Sequence, residues 1–171
     1  MPSGRYGTEL EMKKEIIERK EKKQILVFHL ANEELGLDIS CVREVLRPQK
    51  IFHLPSTPQF IEGVINLRGH IVALINLKKR LHKKQIEDEL NKKIIVCKVN
   101  KFIVGLTVDR LREIVALSKE DFKPTPEVVS MQMEAEVLSG IAIVGERIIP
   151  ILNVEHILTQ KEVEELSTIK P

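Results

Sequence analysis

The chain carries one sequence pattern twice, and this duplication limits its possible fold more than any other feature. The segment 36–46 matches the segment 105–115, which lies 69 positions later. The segment 63–81 matches 140–158 without a gap at an offset of 77 positions, so the second copy has 8 extra residues around Pro124 and Pro126. A pattern repeated in the same order indicates one supersecondary unit used twice.

Each copy contains about five short apolar runs separated by turn signals, which is typical of a small β-barrel. We therefore predict a mainly β protein made of two similar five-stranded barrels. A copy of about 70 residues buries too little surface to be very stable alone. The two barrels are thus expected to share a core and to leave a groove at their seam.

Strands are predicted from the apolar runs, and short helices are expected at the two ends. The strand runs are 24–31, 35–39, 64–67, 71–77, 94–99, 102–108, 111–117, 137–144 and 147–154. In the N-terminal extension, residues 1–23, charge pairs spaced i,i+4 predict a marginal helix over 8–23. A capping box from Thr159 to Glu162 predicts a short helix in the C-terminal segment 159–171. The body, 24–158, is expected to consist of two intertwined subdomains, roughly 24–90 and 91–158.

The stretch 60–77 contains two runs rich in β-branched residues about a glycine turn, which predicts a hairpin. Neither run alternates cleanly between apolar and polar residues, so both faces of the hairpin are expected to be covered. Arg68 lies at its tip and is charged at any ordinary pH. A cation on a rigid hairpin is a recognition candidate, although from spacing alone a solvated turn residue is the better interpretation.

The composition fits a globular protein, with 43% hydrophobic and 30% charged residues. The formal net charge of +2 is too small to indicate a nucleic-acid or acidic-substrate partner. Barrel architecture and a pI of about 8.5 nevertheless leave a small nucleic-acid-binding barrel as an alternative. Only 4% of the residues are aromatic, so platforms for base stacking are poorly supplied.

The cysteines and the N-terminus indicate a cytoplasmic protein. Cys41 and Cys97 show no CxxC spacing, which favours reduced thiols over a disulfide framework. The N-terminus lacks an apolar signal region, and no apolar run approaches the length of a membrane span. Direct insertion into a membrane is therefore not expected.

The sequence offers no obvious enzyme chemistry. It contains no GxxxxGK[ST], GxGxxG, HExxH or GxSxG motif, and its five histidines form no ligand cluster. We therefore predict no catalytic residue, metal or cofactor, and an uncharacterised enzyme has no residue set to support it. The basic run 78–80, continued by Lys83 and Lys84, is soon followed by the acidic run 87–89 and is interpreted as a solvated loop.

The ten residues 60–69, FIEGVINLRG, strongly resemble the signature of the CheW family of chemotaxis coupling proteins. The flanking segments FHLANEELGLDISCVREVL, IVGLTVDRLREIV and LSGIAIVGERIIPILNVEHIL agree with it. The resemblance implies two SH3-like five-stranded β-barrels with exchanged terminal segments. It also implies a non-enzymatic adaptor in the cytoplasm, recruited to membrane-receptor arrays, that binds the regulatory domain of the histidine kinase CheA and the cytoplasmic tips of chemoreceptors. The ring geometry of such arrays suggests weak self-association as well.

The resemblance also assigns residues. It implies that an ion pair between Glu44 and Arg68 holds the hairpin tip over an apolar receptor-facing groove. The residues carried over to that groove are Val42, Glu44, Val45, Gly63 and Arg68, with Ile94 and Ile95 lining it from the second barrel. The kinase-binding positions are Lys123, Glu127 and Val128. Ala73 and Asn76 depart from the proline and aspartate usual in the family, and they are expected to affect the barrel more than the groove.

Overall fold

The computed structural model describes residues 8–14, 22–81, 90–126, 137–159, 161, 162 and 164, and in this part of the chain eleven strands form two sheets. The first copy contributes β1 (Lys23–Leu30), β2 (Glu33–Asp38), β3 (Val42–Leu46), β4 (Ile61–Leu67) and β5 (His70–Asn76). The second contributes β6 (Lys93–Val99), β7 (Phe102–Val108), β8 (Arg110–Leu117), β9 (Phe122–Lys123), β10 (Leu138–Val144) and β11 (Arg147–Leu152). The predicted mainly β architecture is confirmed.

The two sheets have the same strand order, and each takes one hairpin from the other copy. The five-stranded sheet runs β3-β6-β7-β5-β4, and the six-stranded sheet runs β8-β1-β2-β11-β10-β9. Hairpin β6–β7 therefore lies between strands of the first copy, and hairpin β1–β2 between strands of the second. Each exchange creates one parallel pair, β5 with β7 and β11 with β2. The predicted subdomains, roughly 24–90 and 91–158, thus each supply strands to both sheets.

The exchanged strands are buried on both faces because they face two different cores. In β1, Ile25 and Val27 pack inside the six-stranded barrel, whereas Leu26, Phe28 and Leu30 join a core that also contains residues of the other barrel. Strand β6 divides its side chains in the same way. This shared core fastens the two barrels together, as expected for copies too small to be stable alone.

The helices at the two ends lie partly outside the described residues. Residues 9–14 form a helix that begins after Thr8. The Thr8 amide donates to the Glu11 carboxylate, and the Thr8 hydroxyl accepts the Glu11 amide. The predicted capping box is present, because the Thr159 amide donates to Glu162 and the Glu162 amide donates to Thr159. Among the described residues, no helix is long and apolar enough to cross a membrane.

The basic run 78–80 is not the solvated loop that the charge pattern predicts. It forms a one-turn helix, Leu77–Arg80, whose first turn is capped by the side chain of Asn76. Lys78 is buried against Asp109, with Nζ 2.7 Å from Oδ1. Arg80 is buried and donates from Nε to the Ile157 carbonyl at 2.6 Å. The prediction was wrong because both partners are distant in sequence, 31 and 77 positions away.

Candidate functional site

The hairpin β4–β5 ends in a two-residue turn that fixes Arg68 in space. Arg68 and Gly69 both have positive φ, 52° and 86°, as a type I′ turn requires. The side chain of Asn66 closes the turn by accepting the Gly69 amide at 2.8 Å. Arg68 is therefore held at the hairpin tip by backbone geometry before its side chain makes any contact.

Arg68 and Glu44 form the predicted ion pair. Nη2 of Arg68 lies 2.8 Å from Oε2 and 3.0 Å from Oε1 of Glu44. Glu44 is on β3 and Arg68 follows β4, and these are the two edge strands of the five-stranded sheet. The ion pair thus joins the two edges of that sheet. With 73% of the Arg68 side chain exposed, its contribution to stability is expected to be small.

Beside this ion pair lies a groove of about 650 Å³, built from strands β3 to β7. Buried valines form much of its floor, while Ile71 and Ile103 present 41% and 39% of their surface to solvent. Arg43 and Lys101 add positive charge to the lining. The residues that line the groove are Arg43, Glu44, Val64, Leu67, Arg68, His70, Ile71, Val72, Ala73, Val96, Lys101, Phe102, Ile103 and Val104.

The structure brings only part of the predicted set to this groove. Glu44 and Arg68 line it, and Val45 is exposed on β3 next to Glu44. Val42 is half-buried against the shared core. Ile94 and Ile95 do not line the groove, because Ile94 packs inside the first barrel and Ile95 in the shared core.

Gly63, another predicted groove residue, has a structural role, because it allows a neighbouring loop to approach the hairpin closely. Its φ is 148°, and it lies at a bulge in the β4–β5 pairing. A Cβ atom here would collide with the backbone carbonyl of Phe52 and with the Ile51 side chain. Phe52 pairs with Val64 through two backbone hydrogen bonds, so Gly63 allows the preceding loop to close on the hairpin.

Replacing Gly63 by alanine is expected to lower the free energy of unfolding by about 2–3 kcal/mol, since strain and overpacking add. Gly69→Ala is the matched control. It also has positive φ, but no atom lies within 4 Å of the added Cβ, so only the strain of about 1 kcal/mol remains. Urea denaturation of both variants gives the comparison. Equal urea denaturation midpoints for the two variants would contradict the close approach of the Phe52 backbone to Gly63.

Sequence reasoning missed several groove residues. The apolar run that begins at Ile71 predicts a covered side chain, but Ile71 is 41% exposed because it lies near the hairpin tip, two positions before β5 begins to pair with β7. Phe102 and Ile103 reach the groove only because hairpin β6–β7 is exchanged into the first barrel. Ala73, a departure predicted to affect the barrel more than the groove, also lines the groove. The other departure, Asn76, caps a helix as described above.

Of the predicted kinase-binding residues, Lys123 lies on the other barrel. Lys123 is exposed on the short strand β9 and pairs with Ile141 of β10. Glu127 and Val128 lie outside the described residues. In the parts of the chain that the structure describes, no group of three or more His, Cys, Asp or Glu side chains is arranged to hold a metal ion.

Comparison with known proteins assigns the chain to a family. Residues 24–162 match the model of the CheW-like domain. The chain belongs to the CheW family. This CheW-like chain is 33% identical to the chemotaxis protein CheW of Klebsiella aerogenes over 139 residues, which cover 81% of the chain and 83% of that protein. The chemotaxis protein CheW of Treponema pallidum is 29% identical over 153 residues, or 87% and 89% of the two chains.

The fold of the CheW-like chain agrees with a solved structure. The crystal structure of the scaffolding protein TtCheW from Thermoanaerobacter tengcongensis matches with a TM-score of 0.77 at 34% identity. The match covers 82% of this chain and 95% of that one. The two sheets are therefore the two SH3-like barrels of the CheW fold, and the family predicted from residues 60–69 is confirmed.

Proposed function

We propose that this CheW-like protein is a non-enzymatic chemotaxis scaffold that couples the cytoplasmic tips of chemoreceptors to the histidine kinase CheA. The observation that carries the proposal is the Glu44–Arg68 ion pair standing over an exposed apolar groove in a chain of the CheW family. The protein then acts in the cytoplasm, at the inner face of the membrane that holds the receptors.

The groove suits the end of a helical receptor tip. Ile71 and Ile103 offer exposed apolar surface to the apolar stripe of a helix, which is the usual way an amphipathic helix binds. Arg43, Arg68 and Lys101 outnumber Glu44 around this surface, so acidic residues beside that stripe would be attracted.

The second barrel provides a separate surface for the kinase. Lys123, with Glu127 and Val128, is proposed to meet the regulatory domain of CheA. The receptor groove belongs to the five-stranded sheet and Lys123 to the six-stranded sheet, so the two partners use different barrels. This separation is what a scaffold requires if it is to hold receptor and kinase at once.

Co-sedimentation tests the proposal directly. Receptor cytoplasmic fragments assembled on vesicles are expected to carry the protein into the pellet, and the isolated CheA regulatory domain is expected to follow only when the protein is present. Sedimentation velocity of the protein alone measures the proposed weak self-association. The proposal would be overturned if the protein bound neither the receptor fragments nor CheA.

The alternative of a nucleic-acid-binding barrel has no support from the relatives, which are chemotaxis proteins. It predicts binding to oligonucleotides that weakens steeply with salt. The proposed scaffold is expected to show no such binding at physiological ionic strength.

A further inference from the structure

The two cysteines, separated by more than fifty positions in the sequence, meet at the core that the two barrels share. Cys41 ends the short 3-10 turn Ile39–Cys41, and the next residue, Val42, pairs directly with Cys97 of β6. Cys97 is buried in the shared core and Cys41 packs against the same core, where its thiol donates to the Asp38 carbonyl oxygen at 2.9 Å. Cys41 and Cys97 are both free thiols. Their meeting depends on the exchange, because β6 belongs to the second copy of the repeat and Cys41 to the first.

The two thiols differ in access to solvent and in acidity. Cys41 is half-buried at the edge of the shared core, whereas Cys97 is fully buried within it. The hydrogen bond from Cys97 lowers the pKa of Cys41 below the ordinary value of a thiol, although burial and Asp38 act in the opposite direction. The same hydrogen bond, together with burial, raises the pKa of Cys97. Cys41 is thus the accessible, more acidic thiol and Cys97 its protected neighbour.

We propose that Cys41 and Cys97 form a redox modification site, in which a peroxide converts the two thiols into an intramolecular disulfide. The Cys41 thiolate attacks one oxygen of hydrogen peroxide, which breaks the O–O bond and gives a sulfenic acid and hydroxide. The hydroxide takes up a proton and becomes water. The Cys97 sulfur then displaces the sulfenic hydroxyl, and the Cys97 proton leaves with that hydroxyl as a second water. In total, two thiols lose two electrons and two protons to one peroxide.

The disulfide would add a covalent bond between side chains of the first and the second copy of the repeat. It would join the start of β3 to β6 and close a long loop that contains β4 and β5. Closing so long a loop restricts the unfolded chain strongly. For a protein of this size we expect the oxidised form to melt roughly 10 °C above the reduced form.

Peptide mapping of the oxidised wild-type protein tests the site. Reduced protein is treated with hydrogen peroxide, and the remaining thiols are then blocked under denaturing conditions. The expected result is loss of both thiols, an intact mass lower by two hydrogens, and a linked pair of tryptic peptides, 24–43 and 94–98. Non-reducing electrophoresis should give only the monomer band. Unchanged thiols, over-oxidised Cys41 beside a free Cys97, or covalent dimers would each overturn the proposal.

Two variants separate the roles of the thiols. In Cys41→Ser, the buried Cys97 should survive the same treatment as a free thiol. In Cys97→Ala, Cys41 should still be oxidised and should be trapped by a sulfenic-acid reagent, with no cross-link and no rise in melting temperature. Circular dichroism establishes that each variant is folded before oxidation. Rapid oxidation of Cys97 in the folded Cys41→Ser protein would contradict the assignment of Cys41 as the attacking thiol.

Discussion

Replacing Asp109 by alanine is expected to lower the free energy of unfolding by about 3–5 kcal/mol, the cost of breaking a buried ion pair. Oδ1 of Asp109 accepts from Nζ of Lys78 at 2.7 Å, and Oδ2 accepts the backbone amide of Ala31 at 2.8 Å. Only 11% of each of the two charged side chains is exposed. Alanine removes the carboxylate beside a buried ammonium and the acceptor of the amide together. Urea denaturation measures the loss.

The position of Asp109 explains why the expected effect is large. Ala31 lies in the turn of hairpin β1–β2, which belongs to the six-stranded sheet, and Lys78 follows β5 of the five-stranded sheet. Asp109 therefore links the two barrels at the turn of the exchanged hairpin β1–β2.

Two further variants test whether charge or hydrogen bonding dominates at this site. Asp109→Asn keeps an acceptor for the Ala31 amide, so it should be less destabilising than alanine. Lys78→Met combined with Asp109→Asn also removes the buried ammonium, and this double variant should recover much of the lost stability. A loss of about 1 kcal/mol in the free energy of unfolding is ordinary for a substitution. If Asp109→Ala loses no more than that, the buried ion pair does not have the importance assigned to it.

Replacing Arg68 by glutamate is expected to weaken binding to receptor tips by at least about tenfold, or 1.4 kcal/mol. The change places two carboxylates at one end of the groove, reverses the charge that the proposed acidic partner meets, and removes the bond that holds the hairpin tip to β3. Stability should change by no more than about 1 kcal/mol, because the ion pair is exposed. Co-sedimentation with receptor fragments at several protein concentrations measures the affinity.

The controls for Arg68 separate charge from backbone geometry. Arg68→Asn removes the charge but tolerates the positive φ of the turn, so its loss of binding should be smaller than that of glutamate. Arg110→Glu makes the same change of charge on an exposed residue of the six-stranded sheet and should leave receptor binding intact. Exchanging both charges, Glu44→Arg with Arg68→Glu, should restore the hairpin contact. If folded Arg68→Glu protein binds receptor fragments with wild-type affinity, the groove is not the surface that binds the receptor.

Much of the fold could be predicted from the sequence because its signals are local. The nine predicted strands are all present with ends shifted by only a few residues, since apolar runs and turn residues act over short distances. The capping box at Thr159 is equally local. The Glu44–Arg68 pair could be named in advance only through the family resemblance, because nothing in the spacing of the two residues brings them together.

By itself, the sequence determined that one unit is used twice, where nine of the eleven described strands lie, and which hairpin presents Arg68. Only the tertiary structure decided that each barrel takes a hairpin from the other copy. The exchange buries Ile94 and Ile95, brings Phe102 and Ile103 to the groove, and places Cys41 and Cys97 at the same core. It also gives Lys78 its buried partner, Asp109. A local pattern records whether a side chain tends to be buried, but the contacts it makes depend on which strands pair, and that is settled by packing across the whole chain.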